Sequence, residues 1–278
     1  VAAVCAAQVE ETPCVTYLND VLFGVIEGIT EFLPISSTGH LLLAEHWLGA
    51  RSDLYTIVIQ AGAILAVTLI YWRRIVDLLT GWQDAQNRDY LIKLSVAFLI
   101  TAVLGLVVKA MGFELPETIE PIAWALVIGA FWMIAAEYYA GKLEDRSDIL
   151  WRVAIAVGIA QIVAGVFPGL SRSGTTIFVA MVLGTSNRAA ATEFAFLVGI
   201  PTMYAASAFE IFGELRSGAG SEDWTSLGIA FAVSTVTAFI SVKWLLGFIR
   251  SHRFTAFSIY RLVFGGLLLG LSGLGVLS

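Results

Sequence analysis

The sequence predicts an all-α polytopic membrane protein: six transmembrane helices plus two re-entrant helical hairpins, arranged as an inverted-topology repeat. Three observations predict it. Of the 278 residues, 58% are hydrophobic and only 14% charged, far from the balance of a soluble domain. Stretches free of Asp, Glu, Lys and Arg recur at lengths close to the ~20 residues that a bilayer crossing requires. The basic residues gather at alternate ends of those stretches, as the positive-inside rule demands.

In chain order, the uncharged stretches are 54–72, 94–108, 121–136, 194–209, 224–242 and 262–278. Extended by their flanks, they make the six spans. Two other apolar regions, about 16–48 and 151–187, are each broken near the middle by proline and small hydroxylated residues, so each reads as two half-helices around a polar turn. Arg73, Arg74, Arg88, Lys93, Lys142, Arg146, Arg152, Arg188, Arg250 and Arg253 fall at one set of ends, against Arg51, Lys109 and Arg216 at the other. The first set is therefore expected on the cytoplasmic side. Counting crossings with that polarity makes region 16–48 start and finish outside and region 151–187 start and finish inside, so neither is a simple span. Each is followed by three spans of opposite sense, the plan of an inverted repeat whose broken helices meet near the bilayer midplane. One integral membrane domain, 1–278, is expected, with repeat one at about 16–140 and repeat two at about 151–278. A sequence echo agrees: Gly24, Glu27 and Pro34 recur 134 residues later as Gly158, Gln161 and Pro168, and Gly39 recurs as Gly174 with one residue inserted.

The hairpin tips, "PISSTG" and "PGLSRSG", carry the chemistry. Irregular backbone at membrane depth is tolerated only where protein buries it or a wet cavity takes it up. Two half-helices starting near Ser37 and Ser173 would aim free N–H groups into such a cavity. Ser36, Ser37, Thr38, Gly39, Ser171, Ser173, Gly174, Thr175 and Thr176 would then form, with Arg172, a site for a phosphorylated anion. Arg172 is the only charge between 153 and 187, and an unpaired arginine there costs ~2.5–3.5 kcal/mol on insertion scales. It either grips the anion or makes a structural ion pair with Glu27 or Glu31. Those two glutamates are one helical turn apart and share a face. Between them they would hold a divalent cation, Mg²⁺ or Ca²⁺, or else one would stay protonated as a general acid. His40, three residues after Ser37, would approach the serine hydroxyl on the same helical face. Either Ser37 is then a nucleophile activated by His40, or His40 is itself the acceptor or the acid.

"EGITEFLPISSTGH" (27–40) and "PGLSRSGTT" (168–176) closely resemble the two signature motifs of the undecaprenyl-pyrophosphate phosphatases, also called bacitracin-resistance proteins. The resemblance continues through "ATEFAFLVGIP" (191–201) and "IYR" (259–261) and covers the chain from about residue 17. It implies an enzyme of the bacterial inner membrane that removes the terminal phosphate of undecaprenyl pyrophosphate, recycling the lipid carrier for cell-wall synthesis. It also implies a site open to the periplasmic side, divalent-metal dependence, and essential roles for Glu27, Glu31, Ser37, His40 and Arg172. Repeat two has Gln161, Gly165 and Thr175 where repeat one has Glu27, Glu31 and His40, so a single active site assembled from both halves is expected. The segment before Asn19 is longer than the family's usual start.

The rival function is a transporter or flippase of a phosphorylated lipid or anion, because inverted repeats are a transporter plan. Partners are expected to be the polyprenyl pyrophosphate substrate and membrane lipids. Without a Lys/Arg-rich run there is no sign of nucleic acid, and "GLLLG" (266–270) is a GxxxG match that would suit a homodimer. Cys5 and Cys14 are read either as two thiols of a tail or as a disulfide, and the first fifteen residues do not have the pattern of a signal peptide.

Overall fold

A computed structural model describes residues 13–112, 118–217 and 223–277. Cys5 and the side chain of Cys14, with the alternatives drawn for them, lie outside the described residues. All regular structure among those residues is helical: α1 (Pro13–Thr30), α2 (Ser37–Leu48), α3 (Asp53–Ile70), α4 (Trp72–Thr80), α5 (Ala85–Ala110), α6 (Ile119–Ala140), α7 (Trp151–Val166), α8 (Arg172–Gly184), α9 (Arg188–Ser217), α10 (Trp224–Phe248) and α11 (Thr255–Gly273). Helices α3, α5, α6, α9, α10 and α11 are long and apolar enough to cross a membrane. Four of them contain an expected span, and α3 and α11 overlap theirs but end at Ile70 and Gly273, short of the expected 72 and 278. Their outward residues are those a bilayer would cover: Leu106, Ile128, Phe131, Val236, Ile240 and Val263 are all exposed, a density of bare apolar surface that water does not tolerate.

Between the first two spans, where no helix is predicted from the sequence, lies an additional one, α4. Its apolar edge, with Leu78 buried and Ile75 beside it, packs into the main core while Arg73 and Asp77 stay outside. The periodicity is amphipathic and the segment short, so a search for uncharged stretches passes over it.

The two broken regions appear as the helix pairs α1–α2 and α7–α8. Pair one packs through α1 on α10, and pair two through α7 on α5. Both contacts depend on glycine. A Cβ at Gly24 would lie 2.7 Å from the Ala230 carbonyl oxygen, and one at Gly158 would lie 2.7 Å from that of Ala97. Such backbone-to-backbone approach is how helices associate where lipid removes the hydrophobic drive between them.

Polar side chains point inward and bind elements together. Buried Asp20 of α1 pairs with Arg51 at 3.1 Å and accepts from the Tyr55 hydroxyl at 3.0 Å, tying α1 to the head of α3. Glu137 of α6 accepts from Arg188 at 2.8 Å and from the Phe254 amide at 3.1 Å, closing α6, α9 and α11 at the opposite end of the bundle.

Candidate active site

The turns between the half-helices are strained in the same way. Ser36 has φ 72° and Ser171 has φ 65°, the only non-glycine residues with positive φ among those described. A serine in that region costs about 1–3 kcal/mol and is kept only where the surroundings enforce it. Each immediately precedes a helix, α2 or α8, so the strain buys an abrupt change of direction that presents the first turn of that helix.

The two tips touch. Ser173 Oγ donates to the Leu33 carbonyl at 3.2 Å, and Gly174 is packed against Pro34 closely enough that a Cβ would sit 3.2 Å from its ring. Arg172, the first residue of α8, forms an ion pair with Glu31, and Ser37 Oγ donates to the other oxygen of that carboxylate, Glu31 Oε2, at 2.6 Å. Residues expected in one site from two distant motifs are thus joined through one carboxylate. They open on a cleft of about 220 Å³ whose wall includes Glu31, Ser36, Ser37, Thr38, Ser171 and Arg172.

Glu27 is fully buried, lies beside Glu31 within reach of the Arg172 charge, and has no hydrogen-bond partner on either carboxylate oxygen. A bare buried carboxylate is costly, so both oxygens call for a cation or a proton. The pair therefore fits either of the two readings made from the sequence, a divalent cation between the carboxylates or a proton held on one of them. Among the described residues no third carboxylate, histidine or cysteine joins them.

The other expected contacts fall differently. His40 does not turn to Ser37. Its Nδ1 faces the Ser36 carbonyl at 2.7 Å and its Nε2 faces the Tyr260 hydroxyl at 2.7 Å, while its ring stacks on Phe264 with centroids 4.2 Å apart. A nitrogen against a carbonyl must carry the proton, so in the neutral ring Nε2 accepts from Tyr260. The reason is local: Ser36 caps α2, so its carbonyl points along the helix to where a residue four further on can bond it. His40 is thus bonded to the strained turn rather than to the Ser37 hydroxyl. Tyr260→Phe is expected to lower turnover only about two- to fivefold, the cost of one net hydrogen bond, and His40→Ala is expected to fall short of the ~10²–10⁴ loss that removing a proton-transferring histidine would bring; steady-state kinetics of the two single variants separate these sizes.

Among the hydroxyls and glycines expected on phosphate, Ser36, Thr38 and Ser171 line the cleft, and Ser173, Gly174, Thr176 and Gly39 are not part of its wall. Thr176 Oγ1 and Thr175 Oγ1 donate to the Arg172 and Leu170 carbonyls at 2.8 and 3.4 Å. Gly39 packs against Leu126 and Phe264.

One residue that the motif reasoning did not place is Arg261 of α11, which is completely buried. All five of its N–H groups go to carbonyls: Nε to Leu126 (3.2 Å), Nη1 to Leu170 (2.9 Å) and Pro34 (3.5 Å), and Nη2 to Gly169 (2.9 Å) and Ala125 (3.1 Å). One guanidinium thus holds tip one, tip two and α6 together. The signal was present, because Arg261 is the one charge between 254 and 278, and the insertion cost that singled out Arg172 applies equally to it.

The described geometry meets a known pattern. Residues 20–267 match the model of the family described as bacitracin resistance protein BacA. The chain belongs to that family. Among its BacA-family relatives are proteins named undecaprenyl-diphosphatase: one from Rhizobium johnstonii, 70% identical over 94% of this chain and 99% of its own length, and one from Rhizobium etli, 68% identical over the same shares. A third, from Xanthomonas euvesicatoria, is 57% identical over 91% of this chain and 96% of its own. The BacA match takes in both hairpin tips and Arg261.

Proposed function

We propose that the protein is an undecaprenyl-diphosphatase, converting undecaprenyl pyrophosphate to undecaprenyl phosphate and inorganic phosphate and so recycling the lipid carrier of cell-wall synthesis. The observation that carries this reading is the Ser37–Glu31–Arg172 chain at the cleft: a hydroxyl bonded to a carboxylate, which is paired to a guanidinium from the other half of the molecule. A carrier that only passes phosphate needs no nucleophile beside a base.

In the reaction, Arg172 exchanges part of its contact with Glu31 for the terminal phosphate, supported by the N-terminus of α8. Ser37 Oγ attacks the terminal phosphorus and its proton passes to Glu31 Oε2. The Oγ–P bond forms as the bridging P–O bond breaks, releasing undecaprenyl phosphate. Glu31 gives up that proton to solvent as undecaprenyl phosphate departs; water then attacks phosphoserine, its proton passing to Glu31 and from there to the departing Ser37 Oγ, so that phosphate leaves with Ser37 and Glu31 both restored. Glu27 and Glu31 would hold Mg²⁺ or Ca²⁺, which when bound would neutralise charge on the transferring phosphoryl group. His40 keeps Ser36, and through it Ser37, at the cleft.

The pairing of Gly24 with Gly158 and of Ser36 with Ser171, each matched in setting, supports reading the two helix pairs as re-entrant hairpins of an inverted repeat. The excess of basic residues at one set of ends supports an orientation with those ends in the cytoplasm, and the family resemblance implies a bacterial inner-membrane location with the cleft open to the extracytoplasmic side. The same plan favours the transporter reading as the second alternative. Detergent-purified protein, assayed for phosphate release from farnesyl or undecaprenyl pyrophosphate, separates them. Release is expected with Mg²⁺ or Ca²⁺, and chelation is expected to reduce it by ~10²-fold or more, the scale of losing one electrostatic stabiliser of the transition state. Protein that releases no phosphate, yet moves the labelled lipid across a liposome bilayer, would establish the transporter instead.

A further inference from the structure

Gln161 occupies the position in repeat two that Glu27 occupies in repeat one, and the reaction above does not use it. It is 4% exposed. Its side-chain amide has a determined orientation. Nε2 lies 3.0 Å from Thr101 Oγ1, and that hydroxyl stands 3.0 and 2.9 Å from the Ala97 and Gly158 carbonyls. The single hydroxyl proton must go to one of those carbonyls, so Thr101 can only accept from the amide. The nitrogen therefore faces Thr101, and Oε1 is left with no partner in the protein.

Gln161 borders a cavity of about 10 Å³, walled also by Glu31, Arg172 and Ser173. That is on the order of the room one water molecule occupies. The Ser173 and Thr176 hydroxyls in the wall already donate to backbone carbonyls, which leaves Gln161 Oε1 and the Glu31 carboxylate as acceptors and the Arg172 guanidinium as a donor. A water molecule meets all three, donating twice and accepting once.

We propose that this cavity binds one water molecule, and that Gln161 through it is a positioning residue for the Arg172–Glu31 pair. The water sits behind the pair, on the side away from Ser37, and holds both groups in line when Arg172 turns to phosphate. The second repeat thus keeps an oxygen where the first has a carboxylate: neutral, because a charge there would compete for Arg172. The effect on turnover rests on the phosphatase reading; the water site does not.

The test uses the full chain. A crystal structure of wild type at a resolution that shows other buried waters is expected to show one between Gln161 Oε1 and Glu31. Gln161→Leu, close in size, is expected to remove that water and to raise KM for farnesyl pyrophosphate about tenfold, the lower end of what supporting partners of a charged site are worth. Its melting temperature should hold or rise, since an unpaired buried oxygen is gone. Thr101→Val, which frees the amide to turn, is expected to raise KM less, and it carries the test if the leucine variant does not fold. No density at the cavity, or wild-type KM in both variants, overturns the proposal. Wild type that fails to release phosphate would refute the phosphatase reading, and the density would still decide the water site.

Discussion

Glu31→Gln is expected to reduce phosphate release by ~10³-fold or more, as does Ser37→Ala, the scale of removing a member of a nucleophile–base pair. The two losses should not add. Ser37 donates to Glu31 at 2.6 Å, and residues acting as one unit cost about as much singly as together. The double variant is therefore expected within a few-fold of either single one, which a single-turnover assay with farnesyl pyrophosphate would measure. Glu27→Gln supplies the contrast. Glu27 has no hydrogen bond to Ser37 to lose, so the expected signature is a shift in the Mg²⁺ or Ca²⁺ concentration needed for half activity. If Glu31→Gln kept its activity, Glu31 would not be the base.

Arg261→Met is expected to destabilise the protein by at least about 3 kcal/mol, because several carbonyls lose their donor inside the fold and each unpaired group costs ~1–3 kcal/mol. The freed carbonyls belong to both tips, Pro34 on one side and Gly169 and Leu170 on the other, so activity should fall together with the melting temperature. Gly129→Ala reaches the same clamp from α6. A Cβ at Gly129 would overlap the Arg261 guanidinium and must displace it, although no charge or hydrogen-bonding group has been removed. Thermal unfolding in detergent, followed alongside turnover, is expected to place this variant close to Arg261→Met. A Gly129→Ala protein with wild-type melting and turnover would show that the guanidinium does not need its place.

The spans were legible because lipid imposes a constraint that works one segment at a time: about twenty residues without charge, with basic residues at alternate ends, identify a crossing whatever surrounds it. The tips were legible for the same reason in reverse, since proline, hydroxyls and a lone arginine inside apolar sequence require an explanation. The amphipathic α4 escaped because its few apolar residues alternate with charges. The pairing of Ser37 with Glu31 escaped because it runs across the Ser36 turn, where helical spacing no longer tells which side chains meet. The expected Ser37–His40 contact followed that spacing, and the turn redirected it.

By itself, the sequence determined the six apolar spans, the two broken regions that each precede three of them and the residue types that a phosphate site requires, because transfer into lipid is a cost that each segment bears alone. Only the tertiary structure decided that Arg172 reaches Glu31, that His40 turns to Tyr260, and that Arg261 ties both tips to α6. Those contacts join residues between 91 and 227 positions apart, and where such groups meet depends on helix packing, which no single segment encodes.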